Sequence, residues 1–175
     1  RENLKELTEV ASQEVTRLDG ISRRFLTALR PTQPHLVRGN IQEVVETTLK
    51  LLAPDLEQRH IALQYSSPEV IPDIYLDAQQ MEQVLFNLLK NAMDAITDYG
   101  KIGLSIVADD AAVTVSVLDN GVGIPEALLG KIFDPYVTTK TKGSGLGLMV
   151  VRRIVQSHGG SISCASHEGE GTCFT

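Results

Sequence analysis

A short polar turn between two apolar segments constrains the fold of this chain more than any other feature. Residues 102–107 and 113–118 are rich in the aliphatic and β-branched side chains of strands, and Asp109-Asp110 lies between them. This spacing predicts a hairpin, and the strands of a hairpin are antiparallel. A sheet that contains a hairpin is not the all-parallel sheet of a doubly wound fold.

The other predicted elements place helices and strands in the same domain. We predict, in chain order, a helix at 41–60, a strand at 61–65, a short strand at 74–76, a helix at 78–96 with Asp77 as N-cap, a helix ending at His158-Gly159-Gly160, and strands at 161–165 and 172–175 around a Gly169/Gly171 turn. This order predicts an α+β fold, a two-layer sandwich in which helices cover one face of a mixed, largely antiparallel sheet.

A separate helix is predicted before this domain. Apolar residues recur at three-four spacing over 1–30, and Pro31 ends the pattern. Such a helix buries only a stripe, so it needs a partner helix. Residues 31–40 contain two prolines and a glycine and are predicted to be a linker, which leaves 41–175 as the main domain.

Composition narrows the classes of function. The formal net charge of -6 argues against a nucleic-acid binder, because such domains usually carry a basic face. Cys164 and Cys173 fit no metal-ligand spacing and are expected to be free thiols in a reducing compartment. No apolar run approaches the roughly 18 residues of a membrane span, and no secretory leader is present. We therefore expect a cytoplasmic fragment without membrane contact of its own; whether a parent chain is anchored stays open.

One face of the helix at 78–96 carries a polar stripe. Asn87, Lys90, Asn91 and Asp94 are spaced at i, i+3, i+4 and i+7, so they share a face, while leucines occupy the other side. Amide oxygens suit a hard cation such as Mg²⁺, and a lysine can meet phosphate charge. Taken alone, the stripe is more typical of a solvated helix face.

Two glycine-rich segments follow. The first, residues 119–125 (DNGVGIP), comes directly after a predicted strand, where Asp119 can accept a hydrogen bond from an amine and the glycines allow close backbone approach. The second, residues 143–150 (GSGLGLMV), opens a helix and exposes N–H donors toward an anion. It has neither the dinucleotide-binding spacing nor a Walker lysine. Each segment alone is weak evidence, since the first also reads as an ordinary Asn-Gly turn.

The order of these segments resembles the N, G1, F and G2 boxes of sensor histidine kinases. The Asn-bearing helix is followed by DNGVGIP, then by residues 132–140 (IFDPYVTTK), then by GSGLGL. Residues 17–31 are similar to the second helix of the family's dimerisation and phosphotransfer hairpin, and 169–174 to its terminal turn and strand. The Thr-Thr-Lys at 138–140 is closest to kinases of the nitrogen-regulation type.

The resemblance implies a Bergerat-type domain that binds ATP with Mg²⁺. The catalytic face would comprise Asn87, Lys90 and Asn91, with Asn91 as the Mg²⁺ ligand. The adenine pocket would comprise Asp119, Gly121, Gly123, Ile124 and Thr172. The phosphates would meet Gly143, Ser144, Gly145, Leu146, Gly147 and Leu148, with Lys140 and Lys142 in reach from a mobile lid at about 125–144. In the whole protein, a homodimer formed through the helical hairpin would pass phosphate from ATP to a histidine and then to the receiver domain of a response regulator.

Two departures refine this implication. ATPases of the same fold carry a Glu one helical turn before the metal Asn, whereas this chain has Asn87, and an amide cannot act as a general base for water. His35, His60, His158 and His167 all lack the setting of the family's acceptor histidine, so the chain is expected to bind ATP without phosphorylating itself. The alternatives are a serine kinase of the anti-sigma type, an ATPase, and a pseudokinase that binds nucleotide without transfer.

Overall fold

The computed structural model describes residues 33–97, 99–140 and 143–175. The predicted helix at 1–30 lies outside them. The helices are α1 (Ile41–Gln58), α2 (Ala78–Ala95), α3 (Glu126–Leu129) and α4 (Gly147–Ser157). The strands are β1 (Val37–Gly39), β2 (Ala62–Ser66), β3 (Ile74–Leu76), β4 (Lys101–Ala108), β5 (Val113–Asp119), β6 (Cys164–His167) and β7 (Gly171–Phe174).

Five strands form one mixed sheet in the order β2-β4-β5-β7-β6. β2 pairs with β4 in parallel, and the other neighbours are antiparallel, including the predicted β4–β5 hairpin. Alternate residues of β4 (Ile102, Leu104 and Ile106) are buried in one core cluster with residues of α1, α2 and α4. The opposite face is more open, because Val107 and Leu118 remain exposed there. The predicted two-layer α+β architecture is confirmed.

The structure departs from the sequence-based expectation at several element ends. The stretch predicted to be a linker contains β1, which pairs antiparallel with β3. Three residues give too weak a local pattern to predict a strand that exists through its partner. Helix α3 is a single turn inside the expected lid and was not predicted. β6 begins at Cys164 rather than at 161, although Ser163 and Thr175 still exchange both backbone hydrogen bonds, at 2.7 and 3.1 Å.

Hydrogen bonds through Asp77 anchor α2, the helix that carries the polar stripe. The Asp77 carboxylate caps α2 by accepting from the Gln80 amide at 3.1 Å, as predicted, and it also accepts from the His35 amide at 3.0 Å. The Asp77 amide in turn donates to Nε2 of His158 at 3.0 Å. Since Nδ1 of His158 lies 2.8 Å from the carbonyl of Ile154, the ring joins the end of α4 to the start of α2. His158 therefore has the structural role expected of it.

The two cysteines are free, as expected. In the β6–β7 register, Cys164 lies opposite Phe174 and Cys173 lies opposite Ala165, so the two side chains point to opposite faces of the sheet. Burial, with smaller contributions from Cys173 and Asp119, raises the pKa of Cys164 to about 11. Cys164 is therefore a protonated thiol that packs like a small apolar residue.

Candidate functional site

The polar stripe of α2 lies along the edge of the core. Leu88, Leu89 and Ala92 are buried against the sheet and the other helices, while Asn87 and Asn91 are only half-buried. The helix is thereby fixed on its apolar side, and its two amides are presented to the segment between β5 and α4. Lys90 takes a different direction, because its ammonium pairs with the Asp55 carboxylate of α1 at 3.5 Å.

Asp119 stands at the end of β5 with only 4% of its surface exposed. Its carboxylate accepts a hydrogen bond from the Gly121 amide at 2.8 Å, and Thr172 lies directly opposite in the β5–β7 register. Burial raises the pKa of Asp119, although the amides of Gly121 and Thr172 and the charge of Lys140 act against the rise. A buried carboxylate is a group to which a ligand amine could donate a hydrogen bond.

The glycines of the first loop are required by the protein's own backbone. A Cβ at Gly121 would lie 2.6 Å from the carbonyl oxygen of Ala95 in α2. Gly123 has a φ of 69°, and a Cβ there would overlap the carbonyl of His167 in β6. The sequence assigned both glycines to close approach of a flat ring; the structure adds that the loop is wedged between α2 and β6.

Ser166 is a structural member of this loop that the sequence did not single out. Its hydroxyl accepts from the Ile124 amide at 2.9 Å, donates to the Gly171 carbonyl at 2.7 Å and lies 2.9 Å from the Thr172 hydroxyl. It therefore joins the end of the loop to β7. A serine in an edge strand carries no sequence signal for this role, because its partners come from 42 and 5 residues away.

The first part of the expected lid is anchored rather than loose. Ile132 is buried in the core, and the ring of Phe133 packs edge-on against Phe174 with centroids 6.4 Å apart. The guanidinium of Arg152 on α4 lies 5.8 Å from the Phe133 ring, within the range of a cation–π contact. Ile132 and Phe133, within the predicted lid at 125–144, are therefore packed against the domain.

The second glycine segment leads into α4 beside the polar stripe. The amide of Tyr136 donates to the carbonyl of Gly145 at 2.9 Å, and a Cβ at Gly145 would lie 2.5 Å from the Tyr136 backbone. Gly147 begins α4 with its Cβ position 3.6 Å from Oδ1 of Asn87. Leu146 is buried, Leu148 packs against the core, and Ser144 is exposed. Lys142 lies outside the described residues.

Lys140 brings the lid to the helix. Its ammonium donates to Oδ1 of Asn91 at 3.0 Å and to Oδ2 of Asp94 at 3.1 Å. Lys140 thereby joins the helix face and the lid in one region, and its charge also acts on Asp119 at the strand end, whereas Lys90 is directed away. Asp94 is part of this region as well, although the sequence assigned it no role beyond the stripe.

The donor set fits a cation that is shared with a ligand. In the described ranges 33–97, 99–140 and 143–175 there is no group of three or more His, Cys, Asp or Glu side chains that could hold a metal ion. An ammonium already lies on the Asn91 amide oxygen, which shows that this oxygen is accessible to a cation. A Mg²⁺ ion here would need oxygens from a bound ligand such as a phosphate, since it keeps near-octahedral oxygen coordination.

A cavity of about 220 Å³ lies behind the first glycine loop, lined by Ala95, Thr97, Asn120 and Gly169 among others. Of the residues predicted to be functional, only Gly121 reaches its wall. The cavity therefore lies beside the cluster of candidate residues and is not the region that they surround.

No described helix is long and apolar enough to cross a membrane.

Residues 76–175 match a family model described as histidine kinase-, DNA gyrase B-, and HSP90-like ATPase. The sensor histidine kinase ZraS of Escherichia coli (strain K12) is 38% identical over 170 residues, which cover 97% of this chain and 37% of the relative. Sporulation kinase E of Bacillus subtilis (strain 168) is 34% identical over 166 residues, covering 94% and 22%. The chain thus spans well under half the length of these curated relatives.

Solved structures give the same assignment. The catalytic domain of histidine kinase ThkA, in a nucleotide-free form, aligns with a TM-score of 0.73 and 33% identity over 80% of this chain and 92% of that one. ThkA in complex with the response regulator protein TrrA aligns with a TM-score of 0.78 and 27% identity over 98% and 49%. The predicted resemblance to sensor histidine kinases is confirmed, while nothing in these matches singles out the nitrogen-regulation type.

Proposed function

Because the chain belongs to the family of histidine kinase-, DNA gyrase B- and HSP90-like ATPases, we propose that it is the ATP-binding catalytic unit of a sensor histidine kinase. The unit transfers the γ-phosphate of ATP to a histidine on a helical hairpin, from which it passes to an aspartate of a response regulator. The observation that carries the proposal is the meeting of a buried carboxylate, Asp119, with the Asn91 amide and two glycine segments around one region.

Asp119 selects the base. The carboxylate is held by the Gly121 amide and lies opposite Thr172, and a carboxylate has further acceptor sites that a ligand amine can use. An exocyclic amine such as that of adenine donates to it, whereas the oxo group of guanine would place two acceptors together. The site therefore favours ATP over GTP.

Asn91 and α4 hold the phosphate end. Bound Mg²⁺ would neutralise charge on the β- and γ-phosphates. The Asn91 amide oxygen would supply one protein ligand to this ion, and Asn87, one turn earlier on α2, lies next to Gly147 at the start of α4. The first amides of α4 point toward an anion and need no side chain to do so. Positioning and charge neutralisation then account for most of the catalysis, as in phosphoryl transfer generally.

Transfer is favoured over hydrolysis by the residue at position 87. An ATPase of this fold needs a general base to activate water, and the half-buried Asn87 cannot serve as one. A serine kinase of the same fold is the second candidate, and the acid stability of the phosphorylated product distinguishes the two.

The partners and the cellular location follow from the proposed activity. The alignment with ThkA in complex with TrrA supports a response regulator receiver domain as the acceptor of the phosphate. A homodimer would form through the helix predicted at 1–30. The proposed location of the domain is the cytoplasm.

Replacing Asp119 with asparagine is expected to lower ATP affinity by about 10- to 100-fold, the worth of a hydrogen bond to a charged group. The preference for ATP over GTP should fall toward unity. Since the carboxylate must be ionised to bind and burial raises its pKa, wild-type affinity should be full above that pKa and decline as the pH falls through it. The decline begins at a higher pH than an ordinary aspartate would give, and it should vanish in Asp119→Asn.

Calorimetry with ATP and GTP across the acidic range makes the measurement. Asp109→Asn is the matched control, because Asp109 accepts only the amides of Ala111 and Ala112 in the β4–β5 turn. An ATP-to-GTP preference that survives in Asp119→Asn removes this residue from base recognition.

A further inference from the structure

Lys140 connects the predicted lid to α2 through two hydrogen bonds. Its ammonium lies 3.0 Å from Oδ1 of Asn91 and 3.1 Å from Oδ2 of Asp94. Asn91 and Asp94 are one helical turn apart on the same face of α2, so both accept a hydrogen bond from the ammonium. Under the proposed function, the oxygen of Asn91 that accepts from Lys140 is also the atom that binds the metal ion.

The turn that presents Lys140 is specifically built. The Lys140 amide donates to the hydroxyl of Thr138 at 3.0 Å, and the Gly143 amide donates to the Lys140 carbonyl at 3.1 Å. A Cβ at Gly143 would lie 2.5 Å from the Thr138 hydroxyl and 3.1 Å from Cβ of Lys140. Only glycine fits there without moving the turn, so backbone and side-chain contacts both direct Lys140 toward α2.

Asp94 is itself held in place from the other side. Its Oδ1 accepts from the guanidinium of Arg59, at the end of α1, at 3.1 Å. The same guanidinium donates to the Met93 carbonyl at 3.2 Å, which fixes its direction. Burial would raise the pKa of the Asp94 carboxyl, but the bonds from Lys140 and Arg59 hold it below its usual value. Asp94 is therefore an ionised carboxylate, fixed in position, that binds the Lys140 ammonium.

We propose that in the nucleotide-free protein the Lys140 ammonium occupies the place of the metal ion on Asn91, with Asp94 as the positioning residue that keeps it there. This rests on the proposed function, which makes Asn91 a metal ligand. Mg²⁺ approaches its oxygen ligands to about 2.0–2.1 Å, and two cations on one oxygen repel strongly. Lysine and metal therefore exclude each other, and a metal-loaded nucleotide must displace Lys140 from Asn91.

Lys140 also has a role when no metal is present. In the absence of metal it remains on the stripe as the local cation, so nucleotide without Mg²⁺ still meets one positive charge near the phosphates. Lys140 thereby links lid position to the presence of the metal.

The first test compares ADP affinity with Mg²⁺ and with a chelator. In Lys140→Met, which keeps the length of the stem, the metal no longer competes and metal-free ADP loses its substitute cation. Both effects raise the ratio of metal-free to metal-loaded dissociation constants, and we expect a rise of about fivefold, as for a partly exposed charged hydrogen bond. Asp94→Asn should shift the ratio the same way by less. Lys131→Met, an exposed lysine of the same segment, should leave it unchanged.

An unchanged or smaller ratio in Lys140→Met overturns the proposal, because a lysine that merely binds phosphate beside the metal weakens both dissociation constants alike. A second measurement needs no nucleotide at all. Hydrogen exchange of amides 136–140 and 143–146 in the free protein should be about fivefold faster in Lys140→Met and in Asp94→Asn, with no further gain in the double variant. Equal exchange in wild type and Lys140→Met overturns the lysine contact, whatever the nucleotide experiments show. Loss of all nucleotide binding by the wild type would instead overturn the proposed function.

Discussion

Asn91→Ala should bind ATP nearly as well with a chelator present as with Mg²⁺, whereas the wild type should bind the metal complex more tightly. Under the proposed function the amide oxygen is the metal ligand that α2 supplies, so its removal takes away the metal-dependent part of the affinity and leaves base recognition by Asp119 in place. Transfer of the γ-phosphate should fall by about 100-fold or more, since the charge that develops on the phosphates is then poorly neutralised.

Calorimetry with and without Mg²⁺ measures the metal dependence of ATP affinity, and γ-labelled ATP measures the rate of phosphate transfer. Gln79→Ala is a suitable control, because Gln79 lies exposed in the first turn of the same helix, far along the helix axis from Asn91. A metal dependence in Asn91→Ala equal to that of the wild type would remove the residue from the metal site.

Gly123→Ala should lower the free energy of unfolding by about 3 kcal/mol, the sum of a left-handed backbone for a residue with a Cβ and an overlap with fixed backbone. The φ of 69° accounts for part of this cost. The rest comes from the carbonyl of His167, which is held in the β6–β7 pairing and cannot move aside. Nucleotide affinity should fall as well, because the loop that positions Asp119 is displaced.

Urea unfolding of Gly123→Ala and Gly159→Ala separates the cost of the left-handed backbone from the cost of the contact with His167. Gly159 has a φ of 75° but nothing within 4 Å of its Cβ position. Gly159→Ala should therefore cost only about 1–2 kcal/mol, the conformational part. Equal losses of stability in the two variants would show that the contact with β6 contributes nothing.

The parts of the fold that local patterns determine were predictable. The β4–β5 hairpin, the helix α2 and the Asp77 cap depend on residues close together in the chain, and all three are present as expected. The short strand β1 was not predictable, because it forms through pairing with β3 some 37 residues later, from Val37 to Ile74. The single turn α3 is also too short for periodicity to reveal.

The candidate site divides in the same way. Spacing alone placed Asn87, Asn91 and Asp94 on one face of a helix. The position of Asp119 at the end of a predicted strand indicated it as a candidate acceptor. Spacing could not foresee that Lys90 pairs with α1, that Lys140 reaches Asn91 across 49 residues, or that Ser166 joins the loop to β7. These contacts depend on how the elements pack, which the order of residues within any one element does not encode.

We propose that this chain transfers phosphate to a histidine that none of its own four histidines provides. The most direct measurement incubates the protein with γ-labelled ATP and Mg²⁺, alone and with a separately supplied hairpin that carries the acceptor histidine. The chain alone should stay unlabelled, and the hairpin should gain a label that acid removes and base does not, at a rate that Asn91→Ala lowers. A label on this chain alone, or one on Ser or Thr that survives acid, would contradict the account.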